Sequence, residues 1–92
     1  MEKLSSEHKK LTDKFEQDLL QLYGSPLLAG EQLQKAMSYR SIYALRQAIT
    51  RKTIPIPIFK IKKRKGHFAL IADVATWLAT SALSHVEKKE EN

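Results

Sequence analysis

The stretch PIPIFKIKKRKGHFALI, residues 55–71, places a run of cations between two apolar runs. Each proline disfavours helix in the residue before it, and proline cannot donate a hydrogen bond inside a sheet. We therefore expect an edge strand over residues 54–61, a turn at KKRKG and a return strand over residues 67–71. Gly66 is expected to supply the positive φ that such a turn needs. The stretch predicts a small β-hairpin with a basic tip.

Five cations lie within six residues at this tip. Lysines at a sheet edge can simply protect it from aggregation. Five cations exceed that need, and a tip of like charges repels itself unless it lies along an anion such as a phosphate backbone. The basic residues that predict this contact are Lys60, Lys62, Lys63, Arg64 and Lys65, and His67 follows the turn.

Two short helices are expected before this hairpin. The first runs from about Gly30 to Ala36, a turn follows at Met37-Ser38, and the second runs roughly over residues 39–50. Ser38 is the expected N-cap of the second helix, because a serine hydroxyl accepts a free backbone N–H. Two short helices joined by a tight turn predict a helix-turn-helix, whose second helix enters the DNA major groove.

The second helix has an apolar stripe and an opposite face that suits base edges. Arginine pairs bidentately with guanine, and glutamine with adenine. The alternative is an ordinary solvent-exposed helix, but such helices usually carry acidic partners, and this one has none. The residues expected to face away from this stripe, and so to face DNA, are Arg40, Tyr43, Ala44, Gln47 and Arg51, with Arg46 on the flank.

The charges of the chain are segregated. The net charge is +6, yet residues 1–31 and residues 73–92 each carry a net −2. Residues 32–72 contain ten Lys or Arg and no Asp or Glu. A surface without a polyanionic partner usually mixes its signs. The central segment therefore predicts a phosphate-rich partner.

Two longer helices are expected at the ends. The first covers residues 2–23 and stops at Gly24. The last covers about residues 72–84 or slightly beyond, with Val74, Trp77, Leu78 and Ala82 facing inward. The predicted organisation is an amphipathic N-terminal helix within residues 1–24, a DNA-binding domain over residues 25–86 and a polar tail over residues 87–92.

The N-terminal helix carries one apolar stripe, for which two uses remain open. It supports a homodimer, or it packs against the rest of the same domain. The residues of this possible dimer interface are Leu4, Leu11, Phe15, Leu19 and Leu22.

Several function classes find no support in the composition. The chain has no cysteine, and His8, His67 and His85 are far apart without a converging carboxylate motif, so we expect no metal site. No glycine-rich phosphate loop occurs. We expect no enzyme, no cofactor and no small-molecule ligand. Without an apolar run of roughly 20 residues or a secretion signal, the expected location is the cytoplasm, in association with the nucleoid.

About 53 of the 92 residues, LLAGEQLQKAMSYRSIYALRQAITRKTIPIPIFKIKKRKGHFALIADVATWLA, resemble a known family. The order of features is similar to the winged helix-turn-helix domains of the MerR-like superfamily, in the branch of excisionases and AlpA-type phage regulators. ADVATWLA matches the segment that opens the helix after the wing, through Asp73, Val74, Trp77 and Leu78. The resemblance implies a mainly α fold with a small β-hairpin wing, preceded here by an extra helix.

The resemblance also implies a phage or plasmid regulator that binds double-stranded DNA sequence-specifically. The second short helix, which bears Arg40, Ser41, Tyr43, Arg46 and Gln47, would enter the major groove, and the wing would lie on adjacent backbone or minor groove. Full MerR activators add a long dimerisation helix and an effector domain, which we do not expect here. Two alternatives remain: an excisionase-like architectural factor of recombination, and a basic adaptor that binds RNA or an acidic protein.

Overall fold

The computed structural model describes the backbone of residues 2–91 and the side chains of residues 6–84. This part of the chain is mainly helical with one small antiparallel sheet, which confirms the coarse fold class. The elements in chain order are α1 (Glu2–Tyr23), β1 (Leu27–Ala29), α2 (Gly30–Ala36), α3 (Ile42–Thr50), β2 (Phe68–Leu70) and α4 (Ile71–Glu91).

The core gathers side chains from every element. Leu28, Leu33 and Val74 are fully buried, and each such aliphatic side chain contributes about 1.5–3 kcal/mol by leaving water. Trp77 and Leu78 pack against this cluster half-buried, which confirms their predicted inward orientation. No polar or charged residue among the described side chains is buried. The remaining buried members of the cluster are Met37, Leu45, Ile56, Ala69 and Ile71.

The predicted cap of α3 is wrong by one turn. The helix begins at Ile42, and the Ser41 Oγ accepts the backbone N–H of Ala44 at 3.0 Å. Ser38 instead lies just past the end of α2 with a φ of 65°. Both serines precede the helix in sequence, and the hydrogen bonds that close α2 decide which one caps α3.

The two short helices end in the same way. Past α2, the N–H of Ser38 donates to the carbonyl of Lys35 at 3.1 Å, and the next N–H, of Tyr39, donates to Gln34 at 3.0 Å. Past α3, Lys52 has a φ of 59°. The N–H of Lys52 donates to the carbonyl of Ile49, and the next N–H, of Thr53, donates to that of Ala48. These are Schellman motifs, whose left-handed position usually holds glycine. Here serine and lysine occupy it at a cost in backbone strain.

The predicted hairpin is largely replaced by a different strand pairing. Strand β2 pairs antiparallel with β1, in the register Leu27 with Leu70, Leu28 with Ala69 and Ala29 with Phe68. The predicted edge strand over residues 54–61 is therefore wrong except at one position. Phe59 and Phe68 exchange two backbone hydrogen bonds, of 3.0 and 2.8 Å, on the other side of β2. The return strand is shorter than predicted and covers only residues 68–70.

The prolines explain why the hairpin is so short. Pro55 and Pro57 have no N–H to donate and are exposed, whereas Ile56 between them is buried in the core. Ile54 and Ile58 also pack against the core half-buried. The segment is anchored by alternating side chains and not by a ladder of hydrogen bonds.

Helix α1 packs along α4. Leu11, Phe15 and Leu19 of the predicted stripe are half-buried, and the His8 Nε2 lies 2.9 Å from the Thr80 Oγ1. Packing within one chain, one of the two predicted uses of the stripe, is thus observed for these three residues. Leu22 differs from these three residues, because its side chain is 72% exposed. Leu4 lies outside the residues whose side chains are described.

Replacing Ser38 by glycine should stabilise the fold. A left-handed residue with a side chain costs about 1–2 kcal/mol, and the greater freedom of glycine in the unfolded chain returns part of that. We expect the free energy of unfolding to rise by up to about 1 kcal/mol, measured by urea denaturation. Ser38→Ala is the matched control, which keeps the strain and should give no gain. Equal stabilities of the two variants would contradict the strained position.

Candidate nucleic-acid interface

The exposed face of α3 and its flanks carry three of the residues predicted to contact DNA, Tyr43, Arg46 and Gln47. At about 100° per residue, Tyr43 and Thr50 point away from the buried Leu45 and Ala48. Tyr43 is 69% exposed, and it lies at the centre of this face. Arg46 and Gln47 lie on its two flanks.

The Gln47 flank borders an open depression of about 470 Å³ between α3 and the segments on either side of it. Five predicted residues line this depression, so the fold brings them together as expected. They are Arg40, Ser41, Tyr43, Gln47 and Arg51. Sequence reasoning missed Tyr39 and Thr53, which also line it. Thr53 has neither a charge nor a helical position that could have indicated this place, whereas Tyr39 precedes Tyr43 by four residues and could have been found from the predicted helix over residues 39–50.

Ser41 has a structural role that was not predicted for it. Its hydroxyl oxygen caps α3, and its hydroxyl hydrogen remains free to donate. The first backbone N–H groups of a helix have no partner within the helix and favour anions. Arg40 directly precedes this end and is exposed. The start of α3 therefore combines a cation with polarised N–H groups.

The Arg46 flank borders the base of the basic loop. Arg46 lines a small cleft with Ile42 and Ile49 of α3 on one side and Gly66 and His67 on the other. His67, a predicted contact residue, is half-buried there. The cleft shows that the loop returns to the sheet beside α3. The exposed face of α3 and the basic loop are therefore neighbours.

We define the basic loop as residues 60–67, which connect Phe59 to β2. The N–H of Arg64 donates to the carbonyl of Ile61 at 3.0 Å and closes a turn in which Lys63 has a φ of 67°. Gly66 has a φ of 94°, as predicted. The second positive φ, at Lys63, was not predicted, since lysine rarely adopts it. All five Lys and Arg side chains of the loop are exposed.

An aromatic pair holds the start of this loop. The rings of Phe59 and Phe68 are stacked with centroids 6.3 Å apart, beside the two hydrogen bonds between their backbones. Phe68 is buried, and its other neighbour in the sheet is Ala29 of β1. The loop is therefore tied to the core at one position and is free of strand pairing beyond it.

The charges of this surface are not compensated. All ten Lys and Arg side chains of residues 32–72 are exposed. Among residues 6–84 the only ion pair joins Lys14 and Asp18 of α1, at 3.0 Å, so none of the ten cations has a carboxylate partner there. Sequence reasoning named eight of them as contacts and omitted Lys35 and Lys52. Lys52 lines a cleft with His67 and could have been found from its charge.

The described residues contain no group of three or more His, Asp or Glu side chains that could hold a metal ion. His8 is bonded to Thr80, far along the chain from His67 at the cleft. The side chain of His85 lies outside the described residues. None of the helices, as far as they are described, has the length and apolar character needed to cross a membrane.

Searches with this chain found no matching protein family, no matching curated protein and no matching solved structure.

Replacing Phe59 by alanine should loosen the basic loop. The substitution removes the ring stacked on Phe68, and the backbone bridge alone is a weak tie. We expect trypsin to cleave after the loop lysines and Arg64 several-fold faster than in the unaltered chain, as measured by mass spectrometry of the fragments. Tyr43→Ala removes an aromatic ring that is exposed and should leave the cleavage rate unchanged. An unchanged rate for Phe59→Ala would show that the loop is held elsewhere.

Proposed function

We propose that this protein is a sequence-specific double-stranded DNA-binding regulator of the winged helix-turn-helix type. In this proposal α3 enters the major groove and the basic loop is a wing on the neighbouring backbone. One observation carries the proposal: ten exposed cations, unpaired with any described carboxylate, lie on the end of α2, on α3 and its flanks, and on the adjacent loop.

The distribution of these cations favours a polyanion with a regular backbone. Each phosphate contact releases condensed counterions, which makes nucleic acid the strongest partner for such a surface. Five of the cations lie in the basic loop and four on α3 or directly beside its ends, so they occupy two adjacent features. A duplex offers a groove for the first and a neighbouring phosphate strand for the second.

Helix α3 suits a major groove in size and chemistry. An α-helix with its side chains is about 10–12 Å in diameter, which matches the major groove of B-DNA, about 12 Å wide. Arg40 has the geometry to bind the O6 and N7 of guanine, and Gln47 can bind the N6 and N7 of adenine. Tyr43 and Gln47 lie one helical turn apart on α3, and Arg40, just before the helix, lines the same depression, so the three side chains could contact neighbouring bases of one site.

The basic loop suits the backbone better than the bases. Its lysines are flexible point charges, which bind phosphate without requiring one orientation. Arg46 and His67 lie between α3 and the loop and would contact the phosphates between the two. Helix α3 would therefore select the sequence, and the loop would add affinity at any sequence.

Arg40→Ala and Gln47→Ala should each relax sequence preference. Selection from a random duplex library gives the preferred site, and fluorescence anisotropy then compares that site with variants of single base pairs. Each substitution should cost about 1–3 kcal/mol at the preferred site and much less at unrelated duplexes, because a bidentate base contact is lost. Gln17→Ala, at an exposed position of α1, is the matched control. It should change neither the affinity for the preferred site nor the affinity for unrelated duplexes.

The selection itself can refute the proposal. If no duplex sequence is enriched, and single-stranded RNA binds as well as every duplex tested, the regulator assignment is wrong and the RNA adaptor is favoured. If a preferred duplex is found and bends sharply on binding, in a circular-permutation gel assay, the architectural role of an excisionase is favoured over simple regulation.

Replacing Lys62, Lys63 and Lys65 by glutamine should weaken binding to all duplexes alike. Each lost phosphate contact lowers the slope of log K against log salt by about 0.9, so the salt dependence should become shallower. Affinity measured over a salt series tests both effects. Lys9→Gln with Lys10→Gln, on α1, removes charge away from the proposed interface and should leave the slope nearly unchanged. Unaltered affinity of the loop variant at low salt would remove the wing from the interface.

A further inference from the structure

One face of α1 is left uncovered by the fold. Leu22 is 72% exposed, the highest value among the large apolar side chains described. Leu11 lies eleven residues earlier, about three helical turns, and therefore on the same side of the helix within about 20°. An isolated exposed leucine needs no explanation, but this one is aligned with a second apolar feature.

That feature is a groove between α1 and α4. Leu11 and Leu83 form its apolar floor, and Glu7, Lys10 and Lys14 line its edges. The groove is open to solvent, with a volume of about 440 Å³. A leucine side chain fits a depression of this kind. No leucine of the described part of the chain occupies it.

The residues between Leu11 and Leu22 carry opposite charges. Lys14 and Asp18 lie on the same side of α1 and form an exposed ion pair of 3.0 Å. Their midpoint in the sequence nearly coincides with the midpoint between Leu11 and Leu22. If two α1 helices lie antiparallel about that point, Leu22 of each copy meets Leu11 of the other. Lys14 of each copy then meets Asp18 of the other.

We propose that this face, the Leu11–Leu22 seam formed by Leu11, Lys14, Asp18 and Leu22, joins two copies of this chain in an antiparallel homodimer. Leu22 of each copy enters the Leu11–Leu83 groove of the other. A seam whose apolar and charged positions match themselves under a two-fold rotation is what an isologous interface requires. The dimer interface is narrower than the whole apolar stripe, because Leu19 packs against the core and Phe15 is half-buried away from the groove, whereas the half-buried Leu11 lines the open groove.

The charge distribution supports a second copy as the occupant. Residues 1–31 carry a net −2 with mixed signs, whereas residues 32–72 carry a net +10. Two copies that met through the central segment would repel each other strongly, whereas α1 carries both signs, which can pair between copies. The Leu11–Leu22 seam also leaves the basic surface of each copy free. The proposed dimer uses α1 and Leu83 of α4 and does not depend on DNA binding.

Sedimentation velocity of the full chain over a concentration series tests this dimer. We expect a reversible monomer–dimer equilibrium, and Leu22→Glu should raise its dissociation constant at least tenfold. Leu20→Glu is the matched control, since Leu20 is also exposed but lies on nearly the opposite side of α1. It should leave the equilibrium unchanged. Thermal melting by circular dichroism verifies that both variants fold.

A charge exchange tests the antiparallel register. Lys14→Asp alone places carboxylates at positions 14 and 18 of the same helix. Across the seam each of them then faces a carboxylate of the other copy, so the dimer should weaken. Lys14→Asp combined with Asp18→Lys restores both kinds of pair and should restore the dimer. A chain that stays monomeric at every concentration would overturn the proposal. So would equal effects of Leu20→Glu and Leu22→Glu, or a double exchange no better than Lys14→Asp.

Discussion

The pairing of β1 with β2 is the constraint on which the rest of this small structure depends. It joins Leu27–Ala29, just after α1, to Phe68–Leu70, just before α4, and so brings the two long helices together at one end. The backbone bond from the N–H of Ile71 to the carbonyl of Pro26, 2.8 Å long, extends the same contact to the first residue of α4. Leu28 and Ala69, opposite each other in this pair, are fully buried at the centre of the core.

The same strand also sets the position of the basic surface. Because β2 uses one side for β1, only its other side is free for the segment that follows α3, and that segment reaches it at Phe59 alone. The basic loop is consequently held at its base beside α3 and extends from there without a ladder. The long helices lie on another part of the molecule, where the charges are mixed. The fold thus separates a strongly basic surface from a nearly neutral one, and each can meet a different partner.

Much of this arrangement could be predicted, and the failures have definite causes. The bounds of α1 and α2 followed from glycine and proline stop signals together with apolar spacing, because helix ends are local events. The N-cap of α3 was misplaced because Ser38 and Ser41 are both good caps, and the bonds from Ser38 and Tyr39 back to α2 decide between them. The hairpin was overpredicted because Ile54, Ile56 and Ile58 alternate like a strand. These isoleucine side chains pack against the core. The segment forms no strand ladder, because the intervening prolines lack an N–H.

The sequence by itself determined the bounds of α1 and α2, the run of 41 central residues without a carboxylate, and the exposure of Tyr43 and Arg46 on α3. These follow from periodicity and composition, which act over a few turns of chain. Only the tertiary structure decided that β2 pairs with β1, that the basic loop lies beside Arg46, and that Leu22 stays exposed while Phe15 and Leu19 do not. These features depend on contacts between residues far apart in the chain, where many pairings satisfy the same local pattern and packing of the whole core selects one.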